Sequence, residues 1–212
     1  MTPTPARPGR PKDAAKHAAI VAAATALFGR QAYDTVTMEA VAAQAGVSKM
    51  TVYSHFADKE MLFETVVGAL SDRMIAAFAN PGCGGGALEA RLTATGTAFL
   101  TIILGAEIAG MAQTLPAVLR GNQILARRFY EAGPGRVRAA LARIIAGAAA
   151  GGVLSVDAPE RAAEDLISLW EGGLPARLAF GLAEPATPDE IARRARRGTA
   201  VFLRAYQPAP PG

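Results

Sequence analysis

The sequence predicts an all-α protein of about nine or ten helices in two parts, a small N-terminal one and a larger C-terminal one. Three observations lead there. Alanine and glycine are abundant while aromatic residues make up only 6% and β-branched residues are sparse, a balance that favours helix over sheet. Apolar residues recur at three- and four-residue steps in segment after segment, and no stretch alternates as a strand would. Capping residues, prolines and glycines fall at the ends of these segments, where helices start and stop.

Taken in order, residues 1–11 hold four prolines and two arginines and read as a disordered basic arm. A first helix runs from about Lys12 to Phe28, with Ile20, Ala24, Leu27 and Phe28 on one face and Gly29 as a stop. Thr37 caps a short helix over Met38–Ala45, Gly46 breaks it, and Ser48 caps a shorter one over Lys49–His55. Asp58 caps a fourth helix, with Phe63, Val67, Leu70, Met74 and Phe78 as its buried stripe. The run Asn80 to Gly86 is the natural boundary, so residues 12–72 and 82–206 are expected as the two domains. Beyond it, helices are expected over about Ala87–Leu104, Ala106–Thr114 and, opened by Pro116, on to Ala132. Val137, Leu141, Ile144, Ile145 and Ala148 form another stripe. Pro159 opens the next helix, which Gly172-Gly173 and Pro175 bend or break. Thr187-Pro188-Asp189-Glu190 has the form of a capping box for the last helix, and the tail from Gln207 is loose.

Composition narrows the function. The 212 residues are 51% hydrophobic and 19% charged, enough to bury a real core. The net charge of +4 permits nucleic-acid binding, and its distribution is more informative: all four lysines, Lys12, Lys16, Lys49 and Lys59, lie in the first sixty residues. A second basic cluster, Arg193, Arg194, Arg196 and Arg197, sits near the C-terminus. The lone Cys83 forms no intrachain disulfide, two histidines supply no metal-ligand spacing, and no cofactor is expected; a cytoplasmic setting fits. Phe99–Leu119 has the length of a membrane span, but Glu107, Gln113, two glycines and Pro116 fit two buried helices better, so no membrane partner is expected.

The stretch Thr35–Phe63 carries the chemistry. Two short helices meet at Ala45-Gly46-Val47, where glycine permits a sharp turn. Val41, Ala42, Val47, Val52 and Phe56 supply the contacts that hold the angle, leaving Ser48, Lys49, Thr51 and Tyr53 on a polar side. A helix presented in this way fits the DNA major groove with its leading residues toward base edges. Lys49 suits guanine O6/N7, and Met50 or the Thr51 methyl suits a thymine methyl. The termini capped by Thr37 and Ser48 suit phosphates, because free N–H groups and the positive dipole end converge there.

Thr37, Val41, Ala42, Ala45-Gly46-Val47-Ser48, Thr51, Val52-Tyr53, His55-Phe56, Lys59-Glu60 and Leu62 together resemble the TetR family of bacterial regulators over about Lys12–Asp72. The resemblance implies a three-helix DNA-binding domain in which Tyr53, His55 and Lys59 contact phosphates. It also implies a C-terminal helical domain that binds a small effector and forms a homodimer through its last long helices. Arg128-Phe129-Tyr130-Glu131-Ala132-Gly133-Pro134, with Leu141 and Gly152-Val153-Leu154, is similar to the AefR-like C-terminal subgroup. Partners so implied are an operator, an inverted repeat of double-stranded DNA, and an apolar or amphipathic effector in a pocket near Phe99, Ile103, Glu107, Met111, Phe129 and Trp170. The function implied is a repressor released by that effector. The alternatives are a helical interaction module or an enzyme without DNA binding. Against an enzyme, the sequence has no nucleophile elbow, metal cluster or nucleotide loop.

Overall fold

The computed structural model describes residues 14–79 and 88–208; for residues 79, 106, 107 and 109–114 it describes the backbone alone. The expected basic arm, Cys83 and the Asn80–Gly86 boundary lie outside the described residues. Those described form eleven α-helices, a short 3-10 turn at Tyr33–Thr35, and no strand. The helices are α1 (Ala14–Arg30), α2 (Met38–Ala45), α3 (Lys49–His55), α4 (Lys59–Ala79), α5 (Leu88–Ile103) and α6 (Ala106–Gly121). They continue with α7 (Gln123–Ala132), α8 (Pro134–Ala150), α9 (Pro159–Glu171), α10 (Leu174–Ala179) and α11 (Pro188–Ala205). Among the described residues, no helix is long and apolar enough to cross a membrane.

Local signals place most ends. Thr37 and Ser48 accept from the amides of Ala40 and Thr51, each at 3.1 Å, and Asp58 accepts from Met61 at 2.7 Å. Thr187 caps α11 through Glu190 N–H at 3.2 Å. The capping box is only half formed there, because the Glu190 carboxylate turns to Arg194 at 3.0 Å. The structure corrects one boundary. Pro116 does not open a helix but lies inside α6. An internal proline costs a helix roughly 3 kcal/mol, yet Leu115 before it and Val118 and Leu119 after it are all packed against the N-terminal core. The break falls instead at Asn122, whose side chain accepts from Leu125 N–H at 3.0 Å and so caps α7.

Two cores result. One gathers Ile20, Phe28, Val41, Val52, Phe56, Phe63 and Val66 of the N-terminal helices, and takes in Leu115 of α6 and Leu125 of α7. The other gathers Phe78, Leu92, Leu100, Leu141, Ile145, Leu166 and Phe202 around Trp170. The Trp170 indole is fully buried, and its N–H donates to Thr199 at 3.1 Å. It lies between two helices that touch it through glycine: a Cβ at Gly96 of α5 would fall 2.5 Å from the indole, and one at Gly198 of α11 would fall 2.8 Å from it. Gly133 does the same for the α7–α8 corner, where a Cβ would meet Val67 at 2.7 Å.

The added methyl of Gly198→Ala would also meet the Leu169 backbone at 2.9 Å, which cannot rotate away. We expect that variant to lose about 1–3 kcal/mol of stability. Gly147→Ala, in α8 with nothing within 4 Å of the new carbon, should instead gain about 0.5–1 kcal/mol. Urea melts of both check the pair; equal midpoints would contradict the packing argument.

Candidate nucleic-acid interface and effector cavity

A helix as short as α3, only seven residues, is not stable by itself. It is held from beneath. Val52 is fully buried and Phe56 nearly so, and each contributes about 1.5–3 kcal/mol on burial. The bend before it depends on Gly46, which sits at φ +67° in the left-handed region, with its N–H on Ala43 O and the Val47 N–H on Ala42 O. Any residue with a side chain would be strained at that φ, although the space around the Gly46 Cα is open.

Lys49, Met50, Tyr53 and Ser54 are exposed on the outer side of α3. Met50 is 78% exposed, more than any other large apolar side chain described. The Lys49 ammonium is tethered: it lies 2.5 Å from the Glu39 carboxylate on α2 and 5.7 Å from the centre of the Tyr53 ring. Lys49 holds Glu39 below the ordinary carboxylate range, and Glu39 holds Lys49 above the ordinary ammonium range. Both are in water, so the pair orients Lys49 more than it stabilises the fold. Glu39 was not singled out by the sequence, where an acid in the first turn of a helix reads simply as dipole compensation.

The other expected contacts are arranged differently from a bare polar face. The Thr51 hydroxyl shares a 2.9 Å hydrogen bond with Ser48, so both are occupied at the helix start. The half-buried His55 ring packs toward α1, 5.8 Å from the His17 ring. Lys59 points inward. Its ammonium donates to the carbonyls of Tyr33 at 3.1 Å and Asp34 at 3.5 Å, and lies 4.4 Å over the Tyr33 ring. This pins the start of α4 to the 3-10 turn. The capping residues Thr37 and Ser48 are both exposed, although Met38, which begins α2, is buried.

Behind this head, the second half of α4 walls a cavity of about 360 Å³, closed by α5 to α10. That lies within the usual range for small-molecule sites. Of the residues the sequence offers for a pocket, Phe99, Ile103 and Phe129 line this cavity. Trp170 does not: its indole is taken up by Gly96, Gly198 and Thr199 and faces the core instead. The side chains of Glu107 and Met111 lie outside the described residues. Val67, Leu70, Ser71 and Met74 of α4 and Glu171 of α9 were missed. For Glu171 a signal existed: an acid at a helix C-terminus opposes the dipole, so its place there is not explained by helix stability. Phe129 touches both sides, lining the cavity and stacking on Phe63 at 6.0 Å. Phe63 in turn packs edge-on against Phe28 and Tyr33 in the head.

Comparison with known proteins bears on the whole chain. Residues 20–66 match the bacterial regulatory proteins of the tetR family, and residues 90–208 match the C-terminal domain of AefR-like transcriptional repressors. The uncharacterized HTH-type transcriptional regulator YdeS of Bacillus subtilis is 34% identical over 67 residues, so the chain spans about a third of that relative's length. Among solved structures, a TetR-family regulator from Mesorhizobium loti superposes with a TM-score of 0.79 at 26% identity, over 94% of this chain and 100% of that one. The flavonoid-responsive regulator FrrA does so at 0.70 and 31% identity, over 92% and 98%. FadR of Bacillus halodurans, at 15% identity and a TM-score of 0.71 over 93% and 97%, shares the fold. With the N-terminal match over the bent helix pair and the C-terminal match over more than half of its length, the chain belongs to the TetR family of transcriptional regulators.

Proposed function

We propose that this chain is a DNA-binding repressor of the cytoplasm that reads an inverted-repeat operator as a homodimer and is released when a small effector fills the cavity beneath α4. The observation that carries the DNA half is Met50. An apolar side chain 78% exposed on a helix already anchored by Val52 and Phe56 has no structural task there. Beside Lys49, it matches a step where a thymine methyl adjoins a guanine. Tyr53 and the α2 and α3 N-termini take phosphates, which set register rather than sequence. His55, packed on His17, and Lys59, bound to carbonyls, add positive field nearby more than direct contacts.

The homodimer is proposed through α9 and α11. Arg193, Arg196 and Arg197 are exposed on α11, and Glu160 and Asp165 on α9, charges that complement each other across a two-fold axis. The two α3 helices must then lie about one DNA turn apart, ~34 Å, to enter successive major grooves. A ligand that fits the cavity better at another spacing lowers operator affinity by its preference between the two states, on the order of 1–3 kcal/mol. The nearly apolar wall suits an apolar or amphipathic effector. FrrA is flavonoid-responsive, which makes planar, mostly apolar molecules the first to screen against this chain.

Inverted repeats in the DNA flanking the gene supply candidate operators for anisotropy titrations. Met50→Ala should weaken the specific complex by about 1 kcal/mol, roughly fivefold, and leave non-specific binding and the salt slope unchanged. Uniform weakening on all sequences would favour a phosphate-only role, and no change at all would favour a helical module without DNA affinity.

Phe129→Leu tests the coupling. It keeps the cavity apolar but removes the stack on Phe63. Operator affinity without effector should stay within about twofold, while effector-induced release should fall by roughly 1 kcal/mol. A competition titration with and without effector measures both, and unchanged release would remove Phe129 from the mechanism.

A further inference from the structure

Among the described residues, the cavity under α4 is lined almost wholly by carbon. Val67, Leu70, Met74, Phe99, Ile103 and Phe129 make most of its wall. Two polar side chains reach it among the described residues, Ser71 and Glu171. The Ser71 hydroxyl is already satisfied, donating to Val67 O at 2.9 Å. Glu171 is different. It is half-buried at the last turn of α9, and no described side chain or amide bonds its carboxyl.

The adjacent arginine does not answer it. Arg194 of α11 keeps its guanidinium on the Glu190 carboxylate at 3.0 Å and reaches Glu171 only at the backbone carbonyl, at 3.3 Å. α4, α5, α7, α8 and α10 bring no charged side chain to the wall, and on α6 the Glu107 side chain is outside the described residues. An unpartnered carboxylate in an apolar wall is costly. Burial alone pushes the Glu171 carboxyl above its ordinary range. A bound cation would remove that cost, a neutral molecule would leave it, and an anion would increase it.

We propose that Glu171 makes this cavity a site for lipophilic amines: an apolar body against α4, α5 and α7, and a single ammonium group on the Glu171 carboxylate. The proposal rests on the reading of this cavity as the effector site and adds the chemical class it selects. The ammonium donates to the carboxylate in a charge-assisted hydrogen bond, stronger than any that a hydroxyl could make there. The pairing also has a pH signature. Only ionised Glu171 pairs with the amine, so amine affinity rises as pH rises through the elevated titration of Glu171, while the affinity of a neutral analogue does not rise.

The test uses the whole 212-residue chain and three probes of one shape, phenylbutylamine, phenylbutanol and phenylbutanoate, by titration calorimetry. At neutral pH the amine should bind about tenfold more tightly than the alcohol, with the carboxylate weakest. Glu171→Gln, nearly isosteric, should bring amine and alcohol within about twofold of each other. Ile103→Trp, which fills the cavity, should weaken all three. An amine with no advantage over the alcohol, or an advantage that survives in Glu171→Gln, overturns the assignment to Glu171 while leaving the cavity as a binding site. Binding of none of the probes, or binding that Ile103→Trp does not affect, overturns the reading of the cavity and the amine assignment with it.

Discussion

The first turns of α4 lie in the core that holds α3, through Leu62, Phe63 and Val66. Its later turns, Met74 and Phe78, lie in the core around Trp170. Between them, Val67, Leu70 and Ser71 face the cavity. One rigid rod therefore belongs to two close-packed interiors and to the hollow between them. Close-packed interiors do not deform continuously, so displacing the middle of α4 displaces the helix that faces outward. The Arg136–Asp72 ion pair at 2.5 Å ties α8 to the same stretch, and Phe129 joins the hollow to the aromatic cluster of the head.

The head is assembled from small, local devices. Thr37, Ser48 and Asp58 each satisfy an amide at a helix start, and Gly46 supplies the one left-handed backbone turn in the head. Lys59 adds a second hydrogen bond to the Tyr33 carbonyl, which already accepts from Val36 N–H, and reaches the Asp34 carbonyl beside it. With the frame complete, the outward residues are free of structural duty, except that Glu39 restrains Lys49.

How much of this is legible in the sequence follows from range. Caps and the glycine bend act over three or four residues, so the bounds of α2 and α3 and the start of α4 can be read directly. Pro116 misleads because its cost is offset by packing of α6 against α1 and the 3-10 turn, contacts distant in sequence. Trp170 is expected in the cavity because a large aromatic at helical spacing looks the same whether it lines a hollow or fills a core. Gly96 and Gly198 decide the matter, and they are 102 positions apart in the chain. Glu171 escapes notice for the same reason: its isolation is a property of its surroundings, and these come from six other helices.

The indole of Trp170 has a mechanical consequence. Pressed against one Cα on α5 and another on α11, and fastened to Thr199, it works as a dowel through three helices. α5, α9 and α11 cannot slide past one another without shearing it, so that side of the hollow is stiff. Any change in the volume of the hollow therefore falls on the opposite side, where α4 runs on into the core that holds α3.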